Sequence, residues 1–241
     1  MHLILTGATG TIGAPILHHA LSSPLITRLS ILSRKPFALP MADGIDTTKA
    51  RIILHQDYTS YPPDLLAQLD EADACLWAQG TGQHAVSKEE YIRVTHDSPV
   101  AAAKAFAGLS NTGKFTFVHI SGKGREFPES NASLYGRTKA CAEQTLLSIM
   151  KDNPKLNLIN VRPAYVDSLS RPGISRKIVY HGLAPILRRL APGLVTPAQM
   201  LAQVCLDLAV GKLQLEGGED VLHGGRTLLP AAIRRLGSEE K

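Results

Sequence analysis

The chain has 241 residues, of which 44% are hydrophobic and 20% charged, as is typical of a soluble globular protein with one substantial core. Its net charge is only +5, aromatic residues make up 5%, and there is no long arginine–lysine run, so nucleic-acid binding is not expected. The three cysteines, Cys75, Cys141 and Cys205, lie far apart without CxxC spacing, so neither a disulfide framework nor a metal site is predicted. No apolar stretch reaches membrane-spanning length and no signal-peptide core is visible, so we predict a cytoplasmic protein without a membrane partner.

Strand and helix patterns alternate along the first two thirds of the chain. The alternation predicts an α/β protein with a doubly wound parallel-sheet Rossmann fold, in which helices cover both faces of the sheet as three α/β/α layers. Short apolar runs predict strands at 2–6, 28–33, 51–55, 72–78, 114–121 and 156–162, and longer periodic segments predict helices at 12–21, 64–69, 88–109 and 133–151.

The alternation stops after Pro163. Residues 167–195 are rich in proline, glycine and arginine, and the arginines either attract an acidic substrate or are ordinary surface charges. A helix is predicted over 196–211, with Thr196 as its N-cap, and a short helix in the tail. We predict a single NAD(P)-binding domain over 1–241, within which 167–195, together with 196–241, forms a small substrate-binding C-terminal cap.

A glycine-rich turn, "LTGATGTIG", joins the first predicted strand to the first helix. Its three glycines allow a tight turn, a close approach of backbone to a pyrophosphate, and close packing of helix on sheet. Backbone amides at the start of the helix favour a diphosphate there. The turn therefore predicts a dinucleotide site, and the alternative is a tight strand–helix turn without a ligand. The expected cofactor-binding residues of the turn are Gly7, Thr9, Gly10, Thr11, Ile12 and Gly13.

The end of the second strand, "LSRKP", lacks the carboxylate that NAD sites use for the adenosine ribose. Ser33, Arg34 and Lys35 offer a hydroxyl and two cations instead. Because a guanidinium suits a 2′-phosphate, these residues predict NADP(H) in preference to NAD(H). The alternative is a solvated basic turn.

Further cofactor contacts are expected where the third and fourth strands end, because ligands of such sheets bind at the carboxyl ends of the strands. Asp57 and Tyr58 follow the third strand and are expected to flank the adenine. Ala78, Gln79 and Gly80 follow the fourth strand, where small residues let a cofactor lie close.

A set of reactive residues follows the fifth strand. Tyr135 and Lys139 are four residues apart, so they lie on one face of the predicted helix, and Ser121 ends the strand before it. A nearby ammonium lowers the pKa of a phenol, and a serine hydroxyl can orient a carbonyl oxygen. Ser121, Tyr135 and Lys139 are therefore the candidate catalytic residues. The alternative is a solvent-facing Tyr–Lys pair, with Ser121 as a strand-end cap.

In this order, "TGATGTIG", "SGKG", "YGRTK" and "NVRPAYV" resemble the short-chain dehydrogenase/reductase superfamily over residues 1–166. The chain is most similar to the extended and atypical branches, and the nearest subgroup is the Tat-interacting-protein-like atypical members. The resemblance implies the catalytic roles for Ser121, Tyr135 and Lys139, with Lys139 also on the nicotinamide ribose. It further implies that the nicotinamide is lined by Pro163, Ala164 and Val166.

The chain departs from the superfamily in two places. "LWAQG" replaces the usual Asn-Ala-Gly after the fourth strand, so the asparagine of the usual proton relay has no clear equivalent. Ser121 and Tyr135 are 14 positions apart, slightly more than is common, with Pro128 between them.

These features predict an NADP(H)-dependent oxidoreductase of the EC 1.1.1 type, which transfers hydride between the nicotinamide and a small ketone or alcohol with Tyr135 as acid/base. One alternative is a regulatory NADP(H)-binding protein that acts through protein contacts. Another is an epimerase or dehydratase that uses the cofactor transiently. By analogy with the superfamily, the helices around 98–109 and 133–151 are a candidate seam for a homodimer.

Overall fold

The central feature of the fold is an eight-stranded sheet. The computed structural model describes residues 1–111, 113–122, 133–167 and 195–238. The sheet is formed by β1 His2–Thr6, β2 Arg28–Ser33, β3 Ala50–Leu54, β4 Ala74–Trp77, β5 Phe115–Ile120 and β6 Leu156–Val161, and by the two-residue strands β9 Val221–Leu222 and β10 Thr227–Leu228. A separate pair contains β7 Tyr165–Asp167 and β8 Val195–Pro197.

The strand order is β3-β2-β1-β4-β5-β6-β10-β9, and every neighbouring pair is parallel except β10 with β9. From β1 the chain builds the sheet outward to β3 on one side and then, from β4, outward on the other side. The direction of building thus reverses between the parallel neighbours β1 and β4, whose carboxyl ends lie at the same edge. In a doubly wound sheet this reversal opens a crevice at that edge, which is where ligands bind. The predicted fold class is confirmed.

Seven α-helices of the described chain cover the two faces. They are α1 Gly13–Ser22, α2 Pro63–Gln68, α3 Lys88–Ile92, α4 Ser98–Phe106, α5 Leu134–Asp152, α6 Ala198–Ala209 and α7 Pro230–Ser238. One hydrophobic cluster packs α1, α6 and α7 on one face of the sheet, and a second packs α2, α4 and α5 on the other. The inner strands are apolar almost throughout because both of their faces are buried.

The predicted helix over 88–109 contains a π turn, Arg93–Asp97, and ends early at Phe106. Pro99 has no backbone N–H, so it cannot bond to the carbonyl four residues before it. The backbone N–H and the hydroxyl of Ser98 both donate to the carbonyl of Arg93, five residues earlier, the hydroxyl at 2.9 Å. The helix is therefore widened directly before the proline.

The prediction that Thr196 caps the next helix is wrong. Thr196 lies in β8, where it is paired with Val166, and α6 begins two residues later. Its hydroxyl accepts a hydrogen bond from the backbone N–H of Ala164 at 3.1 Å. Strand pairing has thus replaced the local capping bond that the sequence pattern favoured.

Most of the predicted cap segment, and Pro128, lie outside the described residues. Of the later part, α6 packs against α1, β4 and β5, and β10 extends the main sheet beside β6. The division into one domain with a cap over 167–195 stays a prediction. Within the described ranges no helix is both long and apolar enough to span a bilayer.

Candidate functional site

The glycine turn has the close contacts that its sequence predicts. Gly7 has a positive φ of 68°, and a Cβ there would lie 2.5 Å from the carbonyl oxygen of Ala78. A Cβ at Gly13 would lie 2.0 Å from the carbonyl oxygen of Gly7, and the N–H of Gly10 donates to that same carbonyl at 2.8 Å. These positions accept no side chain without rearrangement, so the backbone of the turn is held against the end of β4.

The other turn residues are partly or fully accessible at the carboxyl edge of the sheet. Thr9 is exposed, and Thr11 and Ile12 are partly exposed. Helix α1 has no side-chain hydrogen bond at its N-cap, Ile12. The start of α1 therefore offers an anion the partial positive charge of its N-terminus.

Arg34 and Lys35 are exposed at the end of β2. Ser33 is used locally, because its hydroxyl donates to the carbonyl of Lys35 at 2.7 Å. Arg34 is also close enough to Glu90 to lower the pKa of that carboxyl, although the main cause there is the Arg93 hydrogen bond. The guanidinium of Arg34 is thus exposed at this strand end and lies near a carboxylate of α3.

The two residues expected beside the adenine differ in their surroundings. Asp57 is exposed, and its carboxylate accepts from the N–H and hydroxyl of Thr59 at 3.0 and 2.6 Å. Tyr58 is 4% exposed and packs edge-on against Trp77, with 5.8 Å between ring centres. The ring of Tyr58 therefore belongs to the core and offers no face to an adenine, contrary to the sequence-based expectation. Periodicity gave no warning of this, because the residue follows the strand in a turn.

A pocket of about 290 Å³ lies where the glycine turn, β5, α5 and the end of β6 meet. It joins residues that lie far apart in sequence and that were predicted separately. The remaining strand-end residues Ala78 and Gln79 are partly exposed beside Gly7, and Gly80 is exposed. The pocket lining consists of Ile12, Ser121, Gly122, Tyr135, Pro163, Ala164, Tyr165 and Val166.

Tyr135 is held at the start of α5 by contacts that the sequence did not reveal. Its backbone N–H donates to the side-chain oxygen of Gln83 at 3.0 Å, and Ser133 caps the helix by accepting from the N–H of Gly136 at 3.2 Å. The phenol oxygen lies against Gly122, where a Cβ would come within 2.1 Å of it. The absence of a side chain at Gly122 therefore fixes where the hydroxyl of Tyr135 sits.

The titration of Tyr135 and Lys139 differs from the expectation. The pKa of Tyr135 is raised, first by burial and then by the nearby carboxylate of Glu143, so the expected lowering by Lys139 is not seen. Burial lowers the pKa of Lys139 to about 8, and its ammonium donates to the carbonyl of Ile120 at 3.3 Å. At neutral pH the pair is therefore a protonated phenol beside an ammonium.

The hydroxyl of Ser121 is buried and lines the pocket. Among the described residues it has no hydrogen-bond partner within 3.5 Å, although it is near enough to Glu143 to help lower the pKa of that carboxyl. A buried hydroxyl without a close partner is costly unless a ligand or water supplies one. The geometry thus leaves Ser121 able to donate to an oxygen atom in the pocket.

Comparison with known proteins gives two relatives. No family model matches the chain. The chain is 39% identical over 155 residues to the leucinostatins biosynthesis cluster protein T of Purpureocillium lilacinum, a match that covers 64% of this chain but only 54% of that protein. It is 31% identical over 150 residues to the botcinic acid biosynthesis cluster B protein 16 of Botryotinia fuckeliana (strain B05.10), covering 56% of this chain and 95% of that protein. The chain belongs to the family of this Botryotinia protein.

Among solved structures, the chain resembles a short-chain dehydrogenase/reductase from Serratia marcescens BCRC 10948, with a TM-score of 0.66. The two are 18% identical, and the match covers 94% of each chain. This likeness shows a shared fold. The chain has the short-chain dehydrogenase/reductase fold.

In this short-chain dehydrogenase/reductase fold, a buried polar cluster lies under the Tyr–Lys pair. Glu143 is 1% and Arg162 is 7% exposed, and Nε of the arginine donates to both carboxylate oxygens at 2.9 and 3.0 Å, while its Nη2 donates to one of them. Beside them, Nδ1 of His119 is 2.9 Å from Oδ1 of Asn160. None of these four residues is among the predicted site residues. The position of Glu143, four residues after Lys139, was the one available signal.

In the part of the chain that the structure describes, no group of three or more histidine, cysteine, aspartate or glutamate side chains is arranged to hold a metal ion.

Proposed function

We propose that the chain is an NADP(H)-dependent oxidoreductase of the short-chain dehydrogenase/reductase type that reduces a ketone to an alcohol. The observation that carries the proposal is the shared pocket: one cavity joins Ile12 of the glycine turn to Ser121 and Tyr135. A dinucleotide turn and a proton-transfer set serve one reaction only when they meet in this way.

The residues present fit a nicotinamide dinucleotide. A Cβ would collide with backbone at Gly7 and Gly13 and would lie 3.1 Å from the Gly7 carbonyl oxygen at Gly10, so the turn is packed as tightly as a pyrophosphate-binding turn requires. The other cofactor contacts are proposed as the sequence predicts them. Thr9, Thr11 and Ile12 belong to the turn, and Ser33, Arg34, Lys35 and Asp57 lie toward the adenosine. The backbone of Ala78, Gln79 and Gly80 lies beside the turn, and Pro163, Ala164 and Val166 lie toward the nicotinamide. Lys139 and Tyr135 are proposed on the nicotinamide ribose.

When bound, the cofactor supplies a hydride to the substrate carbon. Ser121 donates a hydrogen bond to the substrate oxygen, because its hydroxyl lines the pocket and has no partner within 3.5 Å among the described residues. Tyr135 donates its phenolic proton to that oxygen as the alcohol forms, and its raised pKa keeps it protonated until then. Lys139 stabilises the phenolate that remains, since its ammonium lies on the same helix face.

The preference for NADP(H) is proposed on the exposed Arg34 and Lys35 and on the absence of a carboxylate at the end of β2. The printed names of the two relatives both refer to biosynthesis clusters. We therefore propose a carbonyl compound formed during biosynthesis of a small molecule as the substrate class. The chain spans about half the length of the Purpureocillium relative, so the activity of a longer protein is part of the proposal.

The proposal is tested by Tyr135→Phe. With a panel of ketones and aldehydes, wild type should oxidise NADPH, and the variant should lose at least about 100-fold in kcat/KM because it cannot donate the proton. NADPH affinity should stay within a few-fold, since the ring is retained. Retained turnover in the variant would contradict the role of Tyr135 as proton donor. NADPH binding by wild type without turnover of any carbonyl compound would favour the regulatory alternative, and retained cofactor without net consumption would favour an epimerase or dehydratase.

A further inference from the structure

Two positive charges and one negative charge lie together beneath the pocket. Lys139 and Glu143 are four residues apart on α5. Arg162, just past β6, donates hydrogen bonds to both carboxylate oxygens of Glu143. Both members of the Glu143–Arg162 pair are almost fully buried. A buried ion pair adds little net stability compared with apolar packing, so its retention here calls for another reason.

Among the described residues, the charged and titratable groups around Glu143 come from β5, from the end of β6 and from α5 itself. His119 of β5 and Ser121 just beyond it lie near the carboxylate, and Arg162 approaches from the end of β6. From the π turn, His96 bonds the hydroxyl of Thr145 at 3.2 Å. Burial lowers the pKa of His119 to about 4, so it is neutral at pH 7 and adds no charge to the cluster.

The two cations respond differently to burial. An arginine keeps its proton in any protein environment, whereas a lysine loses its proton when burial outweighs nearby negative charge. The carboxylate of Glu143 opposes the effect of burial on Lys139. If that negative charge were lost, burial would act on the ammonium of Lys139 without the opposing effect of the Glu143 carboxylate.

We propose that Glu143 is a positioning residue that keeps Lys139 charged beside Tyr135, and that Arg162 holds the carboxylate ionised and aligned for this purpose. The proposal rests on the proposed function for its use, because Lys139 matters to turnover only if it serves the cofactor ribose and the tyrosine. The effect of Glu143 on the charge of Lys139 does not depend on the cofactor, so it is tested in the apoprotein.

The test is the titration of Lys139 in protein labelled with ¹³C at lysine Cε, followed by NMR from pH 6 to 11. Lys139→Met assigns the resonance. Wild type should titrate at a midpoint close to 8, and Glu143→Gln should titrate at a midpoint lower by about one pH unit, because loss of a neighbouring opposite charge lowers the pKa of a lysine by roughly that amount. Glu216→Gln, an exposed carboxylate far from the cluster in sequence, is the matched control and should leave the midpoint unchanged.

Glu143→Gln leaves Arg162 buried without its partner and can fail to fold. The double variant Glu143→Gln/Arg162→Gln removes both charges of the pair, and its Lys139 midpoint should lie below that of wild type by less than in Glu143→Gln, because the Arg162 cation is lost as well. An unchanged midpoint in whichever of these variants folds overturns the proposal. Glu143→Asp keeps the negative charge, so its Lys139 midpoint should return toward that of wild type if the shorter carboxylate still reaches Lys139.

A second readout links the cluster to the cofactor. The dissociation constant of NADPH is measured between pH 6 and 9.5. As the pH increases, this constant should begin to rise at a lower pH in Glu143→Gln than in wild type, because the ammonium of Lys139 loses its proton at a lower pH. A wild-type protein that binds no NADPH contradicts the proposed function but leaves the NMR result decisive for Glu143. NADPH binding with identical pH dependence in both proteins contradicts the link between the cluster and the site.

Discussion

At the scale of single residues, the sequence predicted that Ser121 and Tyr135 come together but not which neighbours place them. Ser121 and Tyr135 line one pocket, as their order along the chain suggested. Gly122 and Gln83, which fix the position of Tyr135, carry no pattern of their own, because one acts by lacking a side chain and the other through a backbone contact across 52 residues. Contacts of this kind arise from tertiary packing, which spacing along the chain cannot express.

The prediction at this scale concerns Gly122→Ala. The new methyl group would lie 2.1 Å from the phenol oxygen of Tyr135, so the ring must move away from its place in the pocket. Turnover should fall by about 100-fold, as displacements near 1 Å at a reacting group do, while the melting temperature changes little because a side-chain tip can yield. Steady-state kinetics and thermal unfolding check this together.

Gly108→Ala serves as the matched control for that change. Apart from its chain neighbours, no described residue has an atom within 4 Å of a Cβ at Gly108, so the substitution should alter neither kinetics nor stability. Equal activity in Gly122→Ala and wild type would mean that the hydroxyl of Tyr135 needs no fixed place.

At the scale of elements, apolar runs and glycine positions predicted all six main strands to within two residues at each end. The missed features depend on partners distant in sequence. Strand β8 exists because Val195–Pro197 pairs with β7, and the two-residue strands β9 and β10 are too short to produce a pattern. The π turn before Pro99 shows that helix periodicity persists in the sequence even where the backbone widens.

The prediction at this scale concerns the glycine turn, through Gly7→Ala. The added Cβ would overlap the Ala78 carbonyl at the end of β4, and the positive φ is unfavourable for alanine. Since both neighbours are backbone, we expect a loss of about 1–3 kcal/mol in the free energy of unfolding. Urea unfolding measures the loss, and calorimetry should show NADPH affinity reduced in the fraction that folds. Wild-type stability in this variant would contradict the tight packing of the turn on β4.

At the scale of the whole molecule, the three-layer architecture was predictable from the alternation of elements, whereas the polar groups inside it were not. His119 and Asn160 lie on adjacent parallel strands, and their side chains meet only through the β5–β6 register. His2 is similarly buried, with Nε2 2.8 Å from the hydroxyl of Ser30 on the neighbouring strand. Nothing in the apolar pattern of these strands distinguishes a buried histidine from an exposed one.

The buried histidines predict how stability depends on pH. Burial lowers the pKa of both His2 and His119 to about 4, from 6.5 in the unfolded chain. The unfolded state therefore binds protons first as the pH falls, and stability is lost between about pH 6.5 and 4 with a slope of up to about 1.4 kcal/mol per pH unit for each histidine. Urea unfolding across this range measures the slope.

A substitution isolates the contribution of one ring. His119→Gln should reduce the slope, whatever its effect on stability at neutral pH, and the exposed His84→Gln should leave it unchanged. A slope in His119→Gln equal to that of wild type would contradict a neutral, buried His119.

The central claim is that the glycine turn and the pocket beside it hold a nicotinamide dinucleotide, and calorimetric titration with NADPH and NADH at pH 7 tests it most directly. We predict one saturable site per chain, with NADPH bound more tightly than NADH, and a smaller difference between the two in Arg34→Ser because a 2′-phosphate partner is lost. NADH bound as tightly as NADPH by wild type would contradict the proposed contact of Arg34 with the 2′-phosphate. A wild-type protein that binds neither nucleotide would contradict the claim itself.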